Sequence, residues 1–356
     1  MILMHKIHSF FLLSLVLFST SCQENFEETV DLKLRSDVDL FENPNDGFPE
    51  VHASTLTEIN GQVLVAGFGG AKEGNDDVGI WLTKKRENGE WEKPDVIAKI
   101  REDAHWNPVL FSQKDRVYLF FKVGKKISHW ETWWMVSEDG GESWSDPTEL
   151  VKNDKGGRGP VRNKLIVLSD GTWIAGASTE FDDWVAFVDI STDEGKTWNK
   201  TESIDYDTSG FEGKGMIQPT LWESEPGKVH MFLRTTNGYI YRSDSEDFGR
   251  TWSSAYKTDL PNPNSGIDIV KVGNRLILAY NPDSENWGMR KDLNLAISED
   301  NGVSWKAIVQ VEQGEDQKDE YSYPAIIAMD STVALTYTVN RKNIKYKEFE
   351  IKTTNK

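Results

Sequence analysis

Four octapeptides recur at nearly constant spacing, and that period constrains the fold more than any other feature. They are Ser137-Glu-Asp-Gly-Gly-Glu-Ser-Trp144, Ser191-Thr-Asp-Glu-Gly-Lys-Thr-Trp198, Ser245-Glu-Asp-Phe-Gly-Arg-Thr-Trp252 and Ser298-Glu-Asp-Asn-Gly-Val-Ser-Trp305. Their starts lie 54, 54 and 53 residues apart, and a degenerate copy, Thr83 to Trp91, begins 54 residues before Ser137. Ser and Asp side chains bond nearby backbone N–H groups, Gly adopts a positive φ, and Trp packs back over the turn. The unit therefore reads as a hairpin turn. Alternating apolar runs flank each copy, such as Val117-Tyr-Leu-Phe-Phe121 and Val229-His-Met-Phe-Leu233, and no segment has sustained helical periodicity. A repeat of this length holding four short strands is one propeller blade. Residues 43–356, 314 in all, span about 5.8 such periods. The expectation is an all-β chain: a six-bladed β-propeller of four-stranded antiparallel blades, its ring closed by pairing of the two ends.

Composition narrows the function classes. Forty Lys and Arg against 58 Asp and Glu give a net charge of −18, which repels phosphate backbones and argues against nucleic acid as a partner. Box residues such as Glu138-Asp139 and Glu299-Asp300 contribute to this excess, so it describes the outer surface more than any site. One Cys excludes an internal disulfide and a Cys-based zinc centre. The six His residues lack H-x-x-x-H spacing, and no nucleophile elbow, Walker loop or dinucleotide fingerprint occurs. No metal and no cofactor is expected. Trp130-Glu-Thr-Trp-Trp134 suits either sugar stacking or blade packing.

The first residues read as an export signal, 1–21, with Lys6 before the apolar run Phe10–Phe18. With Cys22 next, the stretch resembles a bacterial lipoprotein signal, although Phe18 and Ser19 stand where Leu is usual. The resemblance implies lipidation at Cys22, an acidic linker over 22–42 and the propeller over 43–356. It also implies an exported outer-membrane or cell-surface lipoprotein, held to the membrane by its anchor and otherwise monomeric.

The octapeptides resemble the Asp-boxes, or BNR repeats, of the sialidase superfamily. The runs His52-Ala-Ser-Thr55, Phe68-Gly-Gly70 and Ser322-Tyr-Pro324 resemble a neuraminidase-like BNR subfamily. This likeness implies that Asp139, Asp193, Asp247 and Asp300 are structural. In sialidases an arginine triad grips the substrate carboxylate, a Tyr with a Glu partner acts as nucleophile, and an Asp is the acid/base. Carried over by position, His52 stands where the first Arg is expected. Asp76 or Asp77 is the candidate acid. Gln218 stands where the Glu partner is expected. Arg234 and Arg290 match the second and third Arg. Tyr321 matches the nucleophile, with Tyr323 as competitor.

A neutral Gln cannot accept a proton at ordinary pH, so the base must come from elsewhere, with Glu320, Glu180 and His52 as candidates. Further polar residues recur at the same phase of the repeat, just before the innermost strands: His105, Asn107, Arg162, Lys164 and Asp268. They join Arg234, Arg290 and Tyr323 as candidate substrate contacts. The likeness implies an exo-acting glycoside hydrolase releasing a terminal acidic sugar from an extracellular oligosaccharide or polysaccharide. The competing readings are a non-catalytic glycan-binding lipoprotein and a uronic-acid lyase using His52, His105, Tyr321 and Arg234.

Overall fold

Each octapeptide closes the turn between the third and fourth strands of a sheet. In the first, the Ser137 hydroxyl donates to Asp139 Oδ1 (2.8 Å) and accepts the Gly141 N–H (2.7 Å), while Asp139 accepts the backbone N–H (2.9 Å) and the hydroxyl (2.5 Å) of Ser143. Gly141 sits at φ +90°, where a Cβ would also strike Leu64. The same bonds recur around Asp193, Asp247 and Asp300. Trp198, Trp252 and Trp305 each return an indole N–H to the carbonyl of their own box glycine.

The computed structural model describes residues 28–41 and 49–355. They form six four-stranded antiparallel sheets, the blades of a propeller. Blade 1 runs Glu50–Ile59, Gln62–Gly70, Gly79–Lys84 and Asp95–Ala98. The innermost strands of the others are His105–Gln113, Ile166–Val167, Met216–Glu225, Asp268–Val272 and Tyr321–Met329. The only helix among the described residues is one turn, Ile127–His129. Large aromatics seal blade against blade. Trp173, 1% exposed, meets Phe111 and Tyr118 of the preceding blade edge-on at 5.0 and 5.1 Å. Side chains buried this completely contribute about 1.5–3 kcal/mol each. Trp130, Trp133 and Trp134 also pack into these inter-blade cores, which settles that stretch as packing.

Closure of the ring corrects one boundary. Glu28–Asp39, expected within a linker, is the outermost strand of blade 6 and pairs antiparallel with the C-terminal strand Asn343–Asn355. The physical reason is alternation: Leu32 is buried against the blade while Asp31 and Lys33 face solvent. Pairing of the two ends therefore closes the ring, as the repeat arithmetic expects. The signal segment 1–21 and Cys22 lie outside the described residues.

Strand direction sets the two ends of the ring. Innermost strands start at one end, the loops between second and third strands return to it, and the Asp-boxes fall at the other. Four innermost strands begin with a β-bulge, at His52/Thr55, Trp106/Val109, Ile217/Thr220 and Ser322/Ala325. Inside each bulge one non-glycine residue has positive φ: Ala53 (53°), Asn107 (37°), Gln218 (55°) and Tyr323 (53°). Bulges break strand alternation and re-aim side chains. Here they point a ring of polar side chains at one mouth of the central channel.

Candidate active site

Tyr323 stands at the centre of that mouth. Arg234 Nη1 donates to its hydroxyl (2.9 Å) and to Gln218 Oε1 (3.1 Å), and Arg234 Nε donates to Asn264 Oδ1 (2.7 Å). The guanidinium carbons of Arg162, Arg234 and Arg290 lie 5.1, 5.6 and 5.8 Å from the Tyr323 ring centre. Arg290 also reaches the Asn264 carbonyl (2.9 Å) and Glu320 (3.4 Å). Glu320 in turn accepts Arg341 Nε (2.9 Å), and Arg341 also pairs with Glu73 on the Phe68–Ile80 loop. Arg341 comes from the hairpin turn after Thr332–Val339, outside the phase that the sequence argument searched. The carboxylates paired to the four guanidiniums are Glu320, shared by Arg290 and Arg341, and Glu73, paired with Arg341. The mouth thus holds surplus positive charge inside an acidic molecule.

Burial amplifies this field. Arg162 is 1% exposed, donates to the Pro324 carbonyl (2.8 Å), and keeps Nε and Nη1 unpartnered. Burial pulls its pKa down to about 10 against the attraction of Asp268. Burial, then repulsion from Arg234, lowers Arg290 as well. His52 packs 4.3 Å from Tyr323, ring centre to ring centre. Its Nδ1 meets Thr338 Oγ1 (3.0 Å) and its Nε2 has no partner. Burial, reinforced by four arginines, holds it well below the usual histidine range, so it is neutral at neutral pH. Burial disfavours ionisation of Glu320, but Arg341, Ser322 and Arg290 outweigh it and keep the carboxyl low.

Not every expected residue converges here. Tyr321 has its ring 6.4 Å from Tyr337 in the blade 6 core, because the bulge begins after it and only Tyr323 is turned to the mouth. Asp76 and Asp77 are exposed on the rim. Asp77 caps the Ala71 N–H (2.7 Å), and neither carboxylate bonds to the arginines among the described residues. His105 is buried under its own loop. Its Nδ1 donates to the Asp103 carbonyl (2.8 Å), its Nε2 accepts the Ile100 N–H (2.9 Å), and burial brings its pKa to about 4. Asn107 bridges blades by donating to the Val161 carbonyl (3.1 Å). Lys164 and Asp268 neutralise each other inside the channel (2.9 and 2.8 Å). Lys164 also lines the depression at the far end of the channel, with Leu56, Leu110 and Ile327.

Beside the arginines opens a cleft of about 740 Å³, lined by Trp287, Met289, Arg290, Lys318, Glu320 and Arg341. Trp287 is 63% exposed and meets Trp184 edge-on at 6.1 Å. Trp184 in turn lies 5.6 Å from the Arg234 guanidinium. No group of acidic, His or Cys residues among the described ones has the arrangement of a metal site. The guanidiniums at the mouth can bind an anionic group and stabilise negative charge that develops on the Tyr323 oxygen.

Comparison with known proteins agrees with this architecture. A family model described as a BNR repeat-like domain matches residues 61–335. No curated protein sequence matches the chain. Among solved structures, a Dyadobacter fermentans protein of unknown function is similar over 90% of this chain and 99% of its own, with TM-score 0.72 and 16% identity. Trypanosoma rangeli sialidase in complex with sialic acid is similar over 88% of this chain, with TM-score 0.70 and 17% identity; the chain spans 58% of that enzyme. NanB sialidase from Streptococcus pneumoniae, as a K499G mutant, is similar over 87% of this chain and 70% of its own, with TM-score 0.66 and 14% identity. The fold is that of the sialidases.

Proposed function

The chain belongs to the BNR repeat-like family, and from that premise we propose that it is a sialidase-like, exo-acting glycoside hydrolase that releases a terminal acidic sugar. One observation carries the reading: the Tyr323 hydroxyl is held by Arg234 while Arg162 and Arg290 flank its ring. A tyrosine nucleophile suits a substrate that bears its own carboxylate, because a carboxylate nucleophile would be repelled. Arg290 and Arg341 face the cleft and offer planar donors for that carboxylate. The Tyr323 oxygen gives up its proton to water and displaces the aglycone alcohol from the anomeric carbon under the Arg234 cation, and water then displaces the tyrosine oxygen. Two displacements retain the anomeric configuration. His52 replaces one arginine of the sialidase pattern, and Arg162 and Arg341 supply the charge lost there.

The test is release of monosaccharide from sialylated and uronic-acid glycans. Release of an acidic sugar with retention, followed by proton NMR, supports the reading; no release from any acidic glycan removes it. One observation favours a second reading, a glycan-binding protein without turnover. Gln218 fills the place of the sialidase Glu, and no carboxylate bonds to the Tyr323 hydroxyl among the described residues. Tight binding of an oligosaccharide that stays intact would favour it. The proposal extends to location: the protein is exported and anchored by a lipid on Cys22. Radiolabelled palmitate incorporation that is lost in Cys22→Ser tests this.

A further inference from the structure

The sialidase pattern assigns the proton donor to the loop that carries Asp76 and Asp77, yet both are solvated and apart from the arginines. A different carboxyl ends a strand at the mouth's end of the ring. Glu180 ends the strand Trp173–Glu180 of blade 3 and pairs across the hairpin with Trp184, the residue whose ring packs near the Arg234 guanidinium. Two residues earlier on the same strand, Ser178 Oγ accepts the Gln218 N–H (3.2 Å), which fixes this strand end against the Gln218–Arg234 pair. Glu180 is half-buried, and its carboxylate makes no hydrogen bond or ion pair among the described residues. Among the other acids near the mouth, Glu73 and Glu320 are tied to Arg341, and Glu285 and Asp319 line the adjoining cleft.

We infer that Glu180 is the general acid and base of the reaction, a role that rests on the glycosidase reading above. Burial supports this by raising its pKa against the pull of Arg234 and Lys214, so a fraction stays protonated above the ordinary carboxyl range. In the first step the Glu180 proton passes to the glycosidic oxygen. The bond from that oxygen to the anomeric carbon breaks, its electron pair stays on the departing alcohol, and the Tyr323 oxygen bonds to the anomeric carbon as its hydroxyl proton passes to solvent water. In the second step water bonds to that carbon, one of its protons returns to the Glu180 carboxylate, and the tyrosine oxygen leaves and regains its proton from solvent water. Atoms and charge balance without a co-reactant.

The experiment compares leaving groups in the full-length protein, because a poor leaving group needs the proton and a good one does not. The probes are an α2,3-sialyllactose or a glucuronosyl disaccharide, whichever the wild type cleaves, and the 4-methylumbelliferyl glycoside of the same sugar. Glu180→Gln is expected to lose about 10³-fold in kcat/KM on the natural linkage and less than about tenfold on the aryl glycoside. Added azide is expected to restore turnover of the aryl substrate in Glu180→Ala. In the wild type, kcat/KM on the natural linkage is expected to fall on the alkaline side as Glu180 deprotonates, and this limb is expected to vanish in Glu180→Gln. An equal loss on both substrates, or a leaving-group-dependent loss in Asp77→Asn instead, overturns the assignment of Glu180. A wild type inert on both probes overturns the glycosidase reading and this inference with it.

Discussion

Asp268→Ala separates a structural tie from a substrate contact. Asp268 is 1% exposed and accepts Lys164 Nζ at both oxygens, the Thr220 hydroxyl (2.8 Å) and the Ile326 N–H (2.9 Å). One carboxylate thus ties innermost strands of blades 4, 5 and 6 to the segment that enters blade 3. Truncation strands the Lys164 ammonium, left with the Ile269 carbonyl (2.8 Å), and orphans a buried N–H. Breaking a buried ion pair costs about 3–5 kcal/mol, and an unpaired buried donor about 1–3 kcal/mol. Lys164 keeps 19% side-chain exposure, so solvent recovers part of this. The sum comes to about 4 kcal/mol, or about 8 °C in Tm at roughly 2 °C per kcal/mol for a large domain. Differential scanning fluorimetry and urea midpoints measure it. Lys164→Met with Asp268→Ala removes the stranded charge and recovers about half of the loss, as a double-mutant cycle reads out. An Asp268→Ala protein with unchanged Tm but lost glycan affinity would refute the argument and restore the role that sequence position suggested.

Two other outcomes follow from the geometry. Trp287→Ala removes an exposed aromatic face from the cleft, so KM for an oligosaccharide rises about tenfold with kcat nearly constant, while KM for a small aryl glycoside changes little. In the boxes, the Ser143 hydroxyl and N–H pull Asp139 to about 2, and those of Thr197 do the same for Asp193. Both folded values lie below the ordinary 3.8, so this stability is present above pH 4 and is lost as pH falls towards 2. Asp139→Asn is expected to flatten that acid-side loss in a pH series of urea midpoints.

The blades were legible because the box repeats with the period of one structural unit, and its Ser, Asp, Gly and Trp are needed for local turn chemistry. The site was legible only in part. Arg234, Arg290, Gln218 and His52 follow from the likeness to the sialidase pattern and Arg162 from repeat phase, and the structure brings all five to one mouth. Tyr321 and Tyr323 share parity, so alternation cannot separate them; the bulge at Tyr323 does, and a bulge leaves no periodic mark. Arg341 escaped because it sits in a hairpin turn rather than on a strand at the searched phase. His105, Asn107, Lys164 and Asp268 share the repeat phase of Arg162, but His105 spends its ring nitrogens on its own loop and the other three spend theirs on neighbouring blades, a distinction that phase cannot show. The outermost strand was missed because its charge hid the alternation of Val30, Leu32 and Leu34.

The central claim is that Tyr323, not Tyr321, is the reacting tyrosine under the arginine cluster. Its most direct test is single-turnover trapping with a 2,3-difluoro analogue of the released acidic sugar, read by intact mass and peptide mapping. The account predicts one sugar adduct on Tyr323, absent in Tyr323→Phe and retained in Tyr321→Phe. An adduct on Tyr321, or turnover that survives Tyr323→Phe, would contradict it.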